Sequence, residues 1–233
     1  VAWFLSNFFK GRPSVSPKMA RPLLTNMTFL LDFPVNSDIV EETIWCYSFY
    51  LDNNDPDYRF INNLEIIPKL KSVFLSDQCK ILAPIVRIFG KLSLGDSQIV
   101  QNFLDESFKE SLLNNLCFGE VWLSKDVLWT LSNLILTGTN EMELLYDSRV
   151  LSLIRDLILD ANIPPVLKCS ALGVFQSFFN QLGFSERENL IFKHGFVDCI
   201  LTCIETSEKE NISIAIRCLE EILKFGVVTN NAK

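Results

Sequence analysis

Val127-Leu128-Trp129-Thr130-Leu131-Ser132-Asn133-Leu134 is the stretch whose reading decides the fold, because its pattern returns at a fixed distance. Stepping back 42 residues from Trp129 reaches Arg87, in Ile-Val-Arg-Ile-Phe-Gly-Lys-Leu. Two further steps of 42 reach Trp45, in Thr-Ile-Trp-Cys-Tyr-Ser-Phe-Tyr, and Trp3, in Val-Ala-Trp-Phe-Leu-Ser-Asn-Phe. Forward steps of 44 reach Gly173 and Arg217. Two positions beyond these landing points stand Leu5, Tyr47, Phe89, Leu131, Phe175 and Leu219, an apolar residue every time. A repeat of this length is one structural unit that buries its apolar face only by stacking on its neighbours.

Each unit reads as helices. Short helices are predicted at 56–63, 97–104, 141–147 and 185–194, and middle ones at 22–31, 66–75, 108–117, 150–159 and 197–204. Long helices are predicted at 39–51, 80–94, 125–136, 166–182 and 212–225, with Gly95, Gly138, Gly183 and Gly226 as stop signals after four of them. Gly11 to Pro17 reads as a loop in a truncated first unit, and Ser207 to Glu210 as a solvated acidic loop. Propeller blades share the period but need four strands per unit. The expectation is therefore an all-α solenoid of the armadillo or HEAT type. Residues 1–227 would hold about five and a half repeats without an internal domain boundary, and 228–233 a short tail.

Composition narrows the chemistry. The 233 residues carry a formal charge of −7 and are 48% apolar and 21% charged, a folding composition. An acidic chain is poorly suited to a phosphate backbone, so the natural counterpart is basic and no nucleic-acid partner is expected. No run approaches about 18 apolar residues, so no membrane span is expected, and the first residues lack the basic region of a signal peptide. The seven cysteines are odd in number, form no CxxC, and mostly sit in apolar runs, which fits small core residues in a reduced compartment. Cys199 and Cys203 make only half a zinc site. His194 is the one histidine, placed like a helix end before Gly195. No phosphate loop, nucleophile elbow or HExxH occurs. The expectation is a protein that is not an enzyme and needs no cofactor or metal.

What the period stacks is a surface. On a long helix, residues i and i+4 share a face. The pairs are Trp3/Asn7, Trp45/Phe49, Arg87/Lys91, Trp129/Asn133, Gly173/Ser177 and Arg217/Glu221. Indoles on neighbouring helices about 10 Å apart leave slots that accept a Lys or Arg stem. The Asn carries both a donor and an acceptor for an extended peptide backbone. Three residues before Trp45 and Trp129 stand Glu42 and Asp126, placed to meet a cation, or else simply to be solvated helix-start residues. Trp122 lies off the ladder and reads as core or loop packing, and the 19 Phe as packing between helices.

Trp-Phe-Leu-Ser-Asn at 3–7, Trp-Thr-Leu-Ser-Asn at 129–133 and Pro-Ile-Val-Arg-Ile-Phe-Gly at 84–90 resemble importin-α, the armadillo adaptor for nuclear-localisation signals. That family's ladder is likewise interrupted by an Arg between its two signal sites. The register places residue 1 in the third helix of about the fourth family repeat. The resemblance implies an armadillo-repeat right-handed superhelical solenoid that binds basic signal peptides in extended form as a nuclear import cargo adaptor, in cytoplasm and nucleus. It implies importin-β and the nuclear export receptor for importin-α as further partners. The peptide-binding residues carried over are Trp3, Asn7, Glu42, Trp45, Arg87, Asp126, Trp129 and Asn133. The chain departs from the pattern at Lys91, Ser170, Gly173 and Ser177, where the family has Asn, an acid, Trp and Asn. A Trp at 173 with an Asn at 177 would restore the second site, provided the wider side chain is exposed. The alternative is an armadillo-repeat scaffold that binds a different protein partner, with signal binding partly lost.

Overall fold

Helix starts are written into the chain as capping residues, and the structure, a computed structural model, uses them. It describes all residues except 35–36, 54–55, 77–78, 96, 117–119, 139–141, 207–211 and 232–233, and the side chains of 79–80 and 227–231. The helices are α1 (Ala2–Lys10), α2 (Pro17–Met27), α3 (Asp38–Leu51), α4 (Tyr58–Asn63), α5 (Ile67–Phe74) and α6 (Cys79–Leu92). Then come α7 (Ser97–Gln101), α8 (Glu106–Leu116), α9 (Val121–Leu136), α10 (Met142–Leu145) and α11 (Ser148–Leu159). The last four are α12 (Pro165–Gln181), α13 (Phe184–Phe192), α14 (Phe196–Thr206) and α15 (Ile212–Asn231). Side chains of Ser37, Asp57, Asp105 and Asp147 accept from first-turn amides of α3, α4, α8 and α11. Such caps satisfy donors that the helix itself leaves open. Gly138 and Gly195 take positive φ, +62° and +69°, just after α9 and α13, where a side chain would be strained.

From α4 onward the elements follow one another as short, middle and long helices, and no strand occurs among the described residues. This is an all-α solenoid of armadillo repeats. No described helix is long and apolar enough to cross a membrane.

The chain forms two compact units, residues 1–118 and 119–233. In the first, α3 packs against both α1 and α6, so three long helices lie side by side. Where α5 and α8 meet α6 the core is aromatic. Phe74, Phe89, Phe103 and Phe108 are all buried, with ring centroids 4.7 Å (Phe89–Phe103) to 6.1 Å (Phe74–Phe89) apart. Burying such a side chain contributes on the order of 2–3 kcal/mol. Tyr47 is buried too, and its hydroxyl donates to the Leu24 carbonyl at 2.9 Å. In the second unit α12 is central and packs on α9, α11, α14 and α15. Phe175, Phe178, Phe179 and Phe196 fill its interior.

Several expectations need correction. Pro17 opens α2 instead of ending a loop, and Thr28–Asp32 tightens into a 3-10 turn, so the element read at 22–31 begins five residues earlier. Proline fits a first helical turn, where its missing N–H costs nothing. Gly226 does not stop α15, which continues to Asn231. Gly183 is extended and caps the start of α13. Trp122 is not packed away: it is exposed on α9, and its Nε1 donates to Glu120 at 2.9 Å. The loop read at 207–210, Cys117 and the Cys79 side chain lie outside the described residues.

Candidate functional site

In the first unit, α1 presents Trp3, Asn7 and Lys10 along one face, at i, i+4 and i+7. The neighbouring α3 presents Glu42, Trp45 and Phe49 at the same kind of spacing, and α6 supplies Arg87. These side chains converge on one cleft of about 360 Å³. Five of the eight sequence-predicted residues are therefore brought together: Trp3, Asn7, Glu42, Trp45 and Arg87.

Trp3 is 68% exposed, so its indole is not core. Its backbone is held from one turn on, because the Asn7 side-chain amide donates to the Trp3 carbonyl at 2.8 Å. The Ser6 hydroxyl, buried beneath them, reaches the same carbonyl at 3.0 Å and also the Glu42 carboxylate. Ser6 thus fixes Glu42 at the cleft wall and ties α3 to α1. Trp45 is half-buried and stacks on Phe49 with centroids 5.1 Å apart. The protein's own cations cover this stack. The Arg87 guanidinium lies 5.9 Å from the Trp45 ring centre, and the Lys10 ammonium 6.0 Å from that of Phe49. Each such contact is worth about 0.5–2 kcal/mol.

Sequence reading missed Ser6 and Lys10. Lys10 follows Trp3 by two helical turns, a spacing that marks it as cleft-facing. Lys91, one of the departures from the family pattern, pairs with Asp52 at the end of α3, Nζ to Oδ1 3.3 Å. A second hollow of about 460 Å³ shares Trp3 and Glu42 with the main cleft and adds Asp38, Ile39 and Glu41 from the first turn of α3.

In the second unit, Asp126, Trp129 and Asn133 all lie on α9. Asp126 and Trp129 are half-buried, but Asn133 is only 7% exposed, unlike Asn7. On the adjacent α12, Ser177 is buried and its hydroxyl donates to the Gly173 carbonyl at 3.0 Å. A Cβ at 173 would stand 3.3 Å from Ile214 Cδ1, a tight contact that any side chain there makes only if Ile214 gives way.

Burial keeps several thiols protonated. Burial, with the Glu42 charge adding to it, pushes the Cys46 thiol up to about 12. Burial with Asp198 does the same to Cys199, and burial with Glu221 to Cys218, each to about 12. A thiol held protonated is a poor nucleophile. Burial, then Arg155 and Lys193, lower the pKa of His194. No group of three or more His, Cys, Asp or Glu side chains placed to hold a metal occurs among the described residues.

The fold places the chain with armadillo-repeat proteins. It superposes on a designed armadillo repeat protein in complex with the peptide (KR)4, with a TM-score of 0.77 over 94% of this chain and 90% of that one, at 16% identity. It also superposes on computationally designed armadillo repeat proteins for modular peptide recognition, with a TM-score of 0.77 over 94% and 91% of the two chains, at 14% identity. In sequence it is 22% identical over 152 residues to importin subunit alpha-1a of Oryza sativa subsp. japonica, covering 65% of this chain and 29% of that protein. It is 25% identical over 116 residues to importin subunit alpha-3 of Arabidopsis thaliana, covering 50% of this chain and 22% of that protein. The matched part thus spans less than a third of either relative. No protein-family model matches the chain.

Proposed function

We propose that the cleft of residues 1–118 binds a basic linear peptide in extended form, and that the protein is a nuclear import adaptor for nuclear-localisation signals. The observation that carries this reading is the exposed Trp3 indole beside a Glu42 carboxylate fixed by Ser6, with Asn7 one turn away. The indole face and the carboxylate together suit a Lys or Arg side chain, the stem on the ring and the charge at the acid. The likeness to importin-α subunits and to an armadillo protein bound to (KR)4 supports a basic ligand. In this reading Asp126 and Trp129 hold a second, weaker cation site. Importin-β and an export receptor would be the carriers, and the protein would move between cytoplasm and nucleus.

The test is fluorescence anisotropy with a labelled lysine-rich peptide and an alanine control. The lysine-rich peptide should bind and the control should not. Binding should weaken clearly between about 0.05 and 0.5 M salt, because exposed charges are screened over about a Debye length. Salt-independent binding, or equal binding of the control, would favour the scaffold reading with an apolar partner.

A further inference from the structure

A cleft that takes only basic peptides would be expected to carry mostly acids, and this one does not. Its lining has two cations, Lys10 and Arg87, against one carboxylate, Glu42. Both cations lie on the Trp45–Phe49 ring stack, at 6.0 and 5.9 Å from the ring centres. The adjoining hollow is the reverse: Asp38, Glu41 and Glu42 with Trp3. Trp3 and Glu42 are the wall that the two share. The surface is therefore polar along its length, acidic on one side of Trp3 and basic on the other.

Resting on the peptide-binding reading of the same cleft, we propose that it selects a mixed-charge peptide: a Lys or Arg seated at Trp3 and Glu42, and an Asp or Glu held by Lys10 and Arg87 about three residues away. The spacing follows from the scaffold. Glu42 and Arg87 lie on α3 and α6, which pack against each other. Neighbouring helix axes are about 8–10 Å apart, and an extended chain advances about 3.3–3.6 Å per residue. A lysine entering the basic side would meet two like charges and would have to displace them from the rings. A carboxylate there gains two charge-assisted partners and leaves the cations close to their stacks.

The experiment compares labelled peptides that share one lysine-rich core. One carries aspartate three residues from the core lysine, one glutamine at that position, and one aspartate six residues away. The protein should bind the first about tenfold tighter than the second, with little gain for the third. Lys10→Gln with Arg87→Gln should abolish the gain, so that the aspartate and glutamine peptides bind alike. Lys10→Gln alone, at an exposed position, should reduce the gain without touching the packing of α6. Binding of the lysine core with no gain from aspartate, or a gain that survives the double substitution, overturns this inference and leaves the peptide-binding reading standing. Failure of all three peptides to bind a protein with native circular dichroism overturns both.

Discussion

Trp3 and Trp129 stand three periods of 42 apart, each with an Asn four residues on, yet their surroundings differ. Around Trp3 the next long helices bring Trp45 and Arg87, and an open cleft forms with Asn7 exposed. Around Trp129 the next long helix, α12, brings Gly173 and a buried Ser177, and Asn133 is itself buried. A ladder position is thus not a binding position by itself. The neighbouring rung decides, because a slot needs two walls and an Asn can clamp a peptide only if the next helix leaves it exposed.

The largest effect tests whether the two units are separate bodies. Phe108→Ala empties a fully buried site in the first unit and should cost about 3–5 kcal/mol. Hydrogen exchange should report the loss within residues 1–118, since contacts in a solenoid run mainly between neighbours. Equal loss of protection in 119–233 would break the division.

Next comes the closed rung. Gly173→Trp should not restore a slot, because Ile214 already stands 3.3 Å from where the Cβ would lie. Overpacking there should cost about 1–3 kcal/mol, lowering Tm by roughly 3–10 °C. Adding Ile214→Ala should recover part of the loss. An unchanged Tm in the single variant would show that the rung is open after all.

The open rung should respond in affinity instead. Trp3→Ala should weaken a lysine-bearing peptide by about 1–3 kcal/mol with little change in Tm, as loss of an exposed anchor does. Trp129→Ala should cost less affinity, and a reversed order in calorimetric titration would invert the comparison.

The smallest effect is a cap. Burial raises the pKa of Asp105, but hydrogen bonds from Lys71, Ser107 and the Phe108 amide outweigh it and hold the carboxyl at about 2. The folded value lies below the unfolded one of about 3.9. Its stabilisation is therefore complete above about pH 4 and is lost as the pH falls towards 2. Asp105→Ala should cost about 1 kcal/mol near neutral pH. Asp105→Asn should keep the cap and flatten the acid limb of the stability profile, as followed by denaturant titration at pH 2–6.

The 42-residue period, the helical content and the ladder positions followed from the sequence, because burial of one apolar face per unit imposes a spacing that survives wide substitution. Helix starts at Ser37, Asp57, Asp105 and Asp147 are local too, since a cap joins residues two or three apart, yet the apolar pattern put these helices at 39, 56, 108 and 150. The stop at Gly226 was misread because glycine permits a left-handed turn without requiring one. Only tertiary structure decided that Lys10 covers Phe49, that Lys91 turns to Asp52, that Ser6 holds Glu42 and that Ile214 stands beside Gly173. Each of these contacts joins residues 36 to 41 positions apart on neighbouring long helices. A period says which helices are neighbours; which side chains meet between them depends on rotamers and packing that no local pattern encodes.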